Sequence, residues 1–173
     1  MSLDGTVAGR SPDFSSLRYW LEDCINNPDC GQKRQQAWPT RLLYEGSPRL
    51  QTLRLVEKKQ EIIEPANGHG YAALSHRWGH PGAEEKERIC LYDKNYHERL
   101  ARFGLDELPK TFQDAVRVTG LLGLSLLWID ALCINQTNPT APESDWSKEA
   151  ARMQDVFSSV SLTISTTSAK NWI

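Results

Sequence analysis

Three polar residues in a row, Ser75, His76 and Arg77, follow the apolar run Tyr71–Leu74. At the end of a short strand they would offer a hydroxyl, an imidazole and a guanidinium together. Arg77 suits either a pyrophosphate, held by charge-assisted hydrogen bonds, or a surface salt bridge. His76 suits a general base, and Trp78-Gly79 suits support of the turn or the core. A second apolar run, Leu126–Ile129, ends at Asp130. A carboxylate there needs hydrogen-bond donors. It either caps the following turn or touches a sugar hydroxyl, and Asn135 and Gln136 can do either. The third group is Trp146 with Glu149, about 60° apart on a helical wheel. A carboxylate so placed can stabilise a developing cation, or it is a solvated first-turn glutamate favoured by the helix dipole.

Other chemistries have less behind them. Cys133 with His76 would make a thiol hydrolase, but no nucleophile motif surrounds it, and a buried structural cysteine is the commoner outcome. Cys24 and Cys30 lack the second ligand pair of a zinc site, so no metal is assigned. No G-x-G-x-x-G or P-loop pattern supports a dehydrogenase or an NTPase.

The elements that must position these groups are read from periodicity. Residues 1–13 are polar and small and are expected to be a disordered lead-in. Residues 14–68 form an extension. Within it Leu17, Trp20, Leu21 and Cys24 fall at helical spacing, with Trp20 as the expected anchor, and a hairpin follows from Arg41–Tyr44 and Leu53–Val56. Residues 69–173 carry the main domain. His80–Glu87 reads as a surface loop. Leu108–Gly123 reads as a helix with Thr111 and Asp114 as a capping-box-like pair and Phe112, Ala115, Val116 and Thr119 on one face. Asp145–Ser158 reads as one helix striped by Trp146, Ala150, Met153 and Phe157. Val160–Ser165 is a third strand. Strand, helix, strand, helix, strand predicts an α/β fold with a parallel sheet and flanking helices. Right-handed crossovers then bring Ser75, His76, Arg77, Asp130, Trp146 and Glu149 to one edge, where such sheets bind ligands. Trp128, Ile129, Val116, Met153 and Leu162 are the expected core.

Length and charge limit the partners. The 173 residues carry a formal net charge of −2 with 24% charged residues. That disfavours a generic nucleic-acid or anionic-membrane binder. No apolar run approaches the roughly 18 residues of a membrane span. Four irregularly spaced cysteines suit a reducing, intracellular setting better than a disulfide framework.

Four blocks in order resemble the heterokaryon incompatibility (HET) domain family of filamentous fungi. They are Tyr71-Ala-Ala-Leu-Ser-His-Arg-Trp-Gly79, Leu108-Pro-Lys-Thr-Phe-Gln-Asp-Ala115, Trp128-Ile-Asp-Ala-Leu-Cys-Ile-Asn-Gln136, and Trp146-Ser-Lys-Glu-Ala-Ala-Arg-Met153 with Val156-Phe157. Upstream, Trp20-Leu-Glu-Asp-Cys24 with Cys30, Arg41-Leu-Leu43 and Leu53-Arg-Leu-Val56 resemble the lead-in that often precedes such domains. Asn27-Pro28-Asp29 stands where relatives often have a histidine, which weighs against a metal there. The resemblance implies a cytoplasmic protein of fungal non-self recognition and programmed cell death. It also implies a distant likeness to Toll/interleukin-receptor (TIR) domains, hence a flavodoxin-like three-layer fold. Some TIR domains hydrolyse NAD with a glutamate that follows a Trp. Trp146 and Glu149 resemble that pair, although Glu149 stands one residue closer to its Trp than in many TIR enzymes. Glu149 is then the expected catalytic residue, with Ser75, His76, Arg77, Asp130 and Trp146 binding the dinucleotide. NAD would be substrate, with no cofactor. The other class of reading is a non-catalytic signalling module that acts by self-association, with an unknown protein partner. Only three of the roughly five strands of a flavodoxin-like sheet are placed, which raises truncation of the domain at its C-terminus.

Overall fold

Leu126, Leu127 and Trp128 are all buried, and a strand with both faces covered belongs inside a sheet. The structure is a computed structural model, and it describes residues 13–27, 38–47, 51–57 and 70–166. Its elements begin with α1 (Phe14–Asn26), β1 (Leu42–Ser47), β2 (Thr52–Val56), β3 (Ala72–Ser75), α2 (Ala83–Ile89) and α3 (Tyr96–Ala101). They continue with β4 (Phe103–Gly104), α4 (Lys110–Leu121), β5 (Leu126–Trp128), α5 (Asp130–Cys133), α6 (Asp145–Ala150), α7 (Met153–Ser159) and β6 (Leu162–Ser165). The six strands form one sheet in the order β4-β2-β1-β5-β3-β6.

The α/β character holds, but the sheet is mixed rather than purely parallel. β3 runs parallel to both β5 and β6, pairing Ala72 with Leu127 on one side and with Leu162 on the other. The expected hairpin forms, with Leu42 opposite Val56 and Leu43 opposite Leu55. It is not a separate extension, however. β1 pairs antiparallel with β5, Leu43 opposite Leu127, and β4 adds to the far side of β2. The reason is burial: Leu42, Leu43, Leu55 and Val56 are almost inaccessible, and a lone two-stranded hairpin could not cover them.

The parallel strands lie in the spatial order second, first, third. The chain leaves β3 for one side, then crosses back over it. Right-handed crossovers in opposite directions put the connecting helices on opposite faces. Neighbouring residues of β5 show this. Leu127 shares a small cavity with Val116 of α4, while the Trp128 ring meets Phe157 of α7 edge-on, centroids 5.5 Å apart. Tyr71 hydroxyl donates to the Val156 carbonyl at 2.7 Å on that second face.

Local chemistry explains the helix limits. α4 buries Phe112, Ala115, Val116 and Thr119, the face expected from periodicity. It starts after Pro109 without the Thr111–Asp114 box. Asp114 instead pairs with Lys110 and Arg117 on the exposed side. The helix ends where Gly123 takes a φ of 82° and Leu124 N–H reaches back to the Thr119 carbonyl at 3.1 Å, a left-handed cap that glycine tolerates best. Residues expected as a surface loop contain α2, with Glu84 and Glu85 in its first turn and Lys86 and Arg88 in its last. That order complements the helix dipole.

Three further expectations are corrected. α1 forms, but Trp20 is 64% exposed and Leu21 is the buried residue. The single helix Asp145–Ser158 breaks at Ala151–Arg152 into α6 and α7. Its buried positions are Glu149 and Val156, two turns apart, while Trp146, Ala150, Met153 and Phe157 are only half-buried. Leu162 is half-buried as well, because β6 lies at the end of the sheet. Trp128, Ile129 and Val116 are buried as expected. The expected lead-in Met1–Pro12, the Gly31–Gln36 linker and most of the Ala66–Gly70 loop lie outside the described residues. Trp128→Ala should destabilise the fold by about 3–5 kcal/mol, measured by denaturant melts; a loss under about 1 kcal/mol would place little of the core on this ring.

Candidate functional site

β3 and β5 end side by side, so the residues that follow them meet. His76 turns inward. Its side chain is 2% exposed and meets Phe112 edge-on, centroids 4.9 Å apart. Its Nδ1 lies 3.8 Å from an Asp130 carboxylate oxygen. The other Asp130 oxygen accepts from Trp78 Nε1 at 2.6 Å, and Ala131 N–H donates to the first at 2.7 Å. Trp78 lies nearly parallel to His76 and meets Trp146 of α6 edge-on at 6.5 Å. His76, Trp78, Asp130 and Trp146 thus form one connected cluster. Ser75 and Arg77 are exposed beside it. Ser75 ends β3 opposite Ser165, and its carbonyl accepts from Thr166 N–H.

Glu149 is in a different setting. It is 5% exposed. Its carboxylate accepts from the Thr40 hydroxyl and from Arg152 Nη1 at 3.2 Å. Arg152 also donates to Thr40 Oγ1 at 3.0 Å and to the Trp38 carbonyl at 3.1 Å. Beside it Asp145, the first residue of α6, pairs with Arg41 and accepts from Asn135 N–H at 2.7 Å. Arg41 Nε donates to the Cys133 carbonyl at 2.7 Å. The first turns of α6 and the segment before β1 are therefore tied by two carboxylate–guanidinium groups. Among the described residues, the hydrogen bonds of Glu149 go to Thr40 and Arg152, whereas Asp130 bonds within the His76 cluster.

Burial sets the electrostatics. It pushes the His76 imidazole below its ordinary value, against the attraction of Asp130. It pushes the Asp130 carboxyl up, against His76, Trp78 and the Ala131 N–H. Burial also works against the Arg41 charge, but hydrogen bonds to Asp145 and Tyr96 outweigh it and raise its pKa. The Cys133 thiol is pushed up to about 12, chiefly by burial. Such a thiol is not a thiolate near neutrality, so it does not serve as a nucleophile. Cys24 is half-buried on α1, and Cys30 lies outside the described residues. Asn135 and Gln136 tie the loop down. Asn135 Nδ2 donates to Asp93 and its Oδ1 accepts from Thr137 N–H, while Gln136 N–H donates to the Leu91 carbonyl.

A family model described as heterokaryon incompatibility protein (HET) matches residues 71–172, more than half of the chain. The chain belongs to the HET family. Its role is therefore in heterokaryon incompatibility. Comparison with curated proteins and with solved structures gives no match. The HET span begins at Tyr71, yet Thr40 and Arg41, which hold two of its carboxylates, lie upstream. Sequence reasoning missed Thr40, Arg41, Asp145 and Arg152. One signal was visible: a lone arginine directly before the apolar strand Leu42-Leu43, which either snorkels to water or needs an acidic partner. No helix among the described residues is long and apolar enough to cross a membrane.

Two outcomes follow from this geometry. Asp145→Ala leaves the buried Arg41 charge without its carboxylate. The expected loss is about 3 kcal/mol, the lower end for a broken buried pair, because the Asp145 side chain is 28% exposed; chemical denaturation measures it. The second outcome is pH-dependent. Burial disfavours the protonated form of His76 in the fold, while the unfolded chain takes up a proton near 6.5. Its contribution is present above that value and is lost as pH falls below it. Asp130 has the opposite sign, its contribution complete below 3.8 and lost as pH rises through its folded value. Urea melts should show stability falling from neutral to mildly acidic pH until Asp130 takes up its proton, with His76→Gln flattening the decline.

Proposed function

We propose that this HET domain acts in fungal non-self recognition and programmed cell death by hydrolysing NAD in a TIR-like manner. The observation that carries the reading is the strand order β5-β3-β6. It repeats the second-first-third order of flavodoxin-like sheets, whose ligands bind at the switch point beside the first strand. Ser75 ends the first strand and Arg77 follows it, which supports a site there; α6 brings Trp146 against Trp78 of the Asp130 cluster and carries Glu149 one turn further on. Arg77 would hold the pyrophosphate. The chemistry asks little of the protein. The bond between nicotinamide nitrogen and ribose breaks with its electron pair leaving on nicotinamide, which departs neutral. The ribose becomes an oxocarbenium-like cation that a carboxylate stabilises. Water adds to it, giving ADP-ribose and a released proton.

The burial of Glu149 favours a second reading, a non-catalytic module acting by self-association. In that case Glu149 serves the fold through Thr40 and Arg152. One experiment separates the two: NAD loss in the presence of purified protein at high concentration, with Glu149→Gln as control. Hydrolysis abolished by Glu149→Gln supports the enzyme. No hydrolysis by the wild-type chain, with a concentration-dependent rise in particle mass, supports the module.

A further inference from the structure

The Thr40 hydroxyl occupies a telling position. It accepts from Arg152 and donates its own proton to the Glu149 carboxylate. That is the position a sugar hydroxyl would take on a carboxylate that holds a ribose. Around it, Trp38 offers its carbonyl to Arg152 and its ring to Tyr71, centroids 5.5 Å apart. Pro39 between them is buried. Thr40 sits directly on Glu149, which is 5% exposed, and Trp38 reaches it through Arg152.

The fastening of this segment is uneven. Arg41 is fixed: it is 6% exposed and bonded to Asp145 and to the Cys133 carbonyl, and β1 follows immediately. Trp38 and Thr40 are only half-buried, and the Arg152 side chain that holds them is 41% exposed. Water can therefore replace their hydrogen bonds at little net cost, whereas Arg41 cannot leave without stranding a buried charge. Arg41 is therefore the firmly held end of the segment and Thr40 the weakly held contact on Glu149.

We propose that Trp38–Thr40 is an autoinhibitory strap, hinged at Arg41 and closed over Glu149, which a ribosyl ligand must displace by taking the hydrogen bond of Thr40. The catalytic consequence rests on the NAD-hydrolysis reading; the strap itself does not. Thr40 and Arg152 are positioning residues in the closed state. The domain thus holds its carboxylate occupied by its own hydroxyl until the ligand displaces the strap.

The test uses the full chain and two variants. Trp38→Ala removes the ring that seats the strap. Thr40→Val keeps its volume and removes only the hydrogen bond, so it decides alone if Trp38→Ala does not fold. Carboxylates are labelled with a carbodiimide and an amine and read by mass spectrometry, with the 89% exposed side chain of Glu143 as internal reference. Glu149 should label far more slowly than Glu143 in the wild-type chain. An open state of roughly 10% or less implies labelling faster by about tenfold or more once the strap is fully released. Glu149 labelling as fast as Glu143 in the wild-type chain overturns the strap. So does unchanged labelling in variants whose melting shows them folded. NAD turnover is the second readout. A parallel rise in turnover, abolished by adding Glu149→Gln, supports strap and hydrolysis together. Faster labelling with no turnover in any variant keeps the strap and overturns NAD hydrolysis.

Discussion

Arg41 is the charge on which the arrangement depends. A guanidinium at 6% exposure has given up most of its water, at a cost of several kcal/mol before any partner is counted. It remains charged because Asp145 and the Cys133 carbonyl replace that water. Those partners come from α6 and from the turn after β5, while Arg41 itself leads into β1. One side chain thus fixes where the upstream hairpin meets the HET span, and on which side of α6 the preceding residues run. β1 cannot change its register against β5 without carrying this charge out of its socket.

The parallel half of the fold was legible in the sequence because its signals are local. Leu126–Ile129 is an uninterrupted apolar run, and α4 shows a clear 3.6-residue periodicity through Phe112, Ala115, Val116 and Thr119. The position of the hairpin was not legible. Leu42-Leu43 and Leu53–Val56 announce two strands, but nothing local says that β1 will pair with β5 across the sheet. That pairing follows from the total apolar surface to be covered. The same limit explains Trp20. Helical spacing identified the apolar side of α1, but which of two adjacent large residues faces inward depends on the neighbour, and the structure chose Leu21.

The candidate site divides along the same line. The motif residues His76 and Asp130 each follow a strand, and parallel strands that end together bring them together; topology alone sufficed for that. Helical spacing sets Glu149 about 60° from Trp146, beside a stripe that would run through Met153. The break at Ala151–Arg152 removes that single stripe. The buried line instead runs through Glu149 and Val156: Thr40 bonds to the first of them, and the second joins the core beside Tyr71. Of the two partners of Glu149, Arg152 stands three residues on and within reach of a spacing rule, but Thr40 lies 109 residues earlier in the chain, and no spacing rule reaches that far.

Trp78 shows how the two halves of the site are joined. Its indole N–H satisfies Asp130, its face lies along His76, and its edge meets Trp146 on α6. His76 in turn packs on Phe112 of α4, the helix on the opposite face of the sheet from α7. A contiguous set of aromatic contacts therefore runs from one layer, around the carboxyl ends of the strands, to the other. Interiors packed this closely do not deform gradually. A shift of α6 that moved Trp146 would reach Asp130 through a single hydrogen bond, and His76 through that carboxylate. The helix that carries Glu149 and the turn that carries Arg77 are thus linked through Trp146 and Trp78, although Glu149 itself bonds elsewhere, to Thr40 and Arg152.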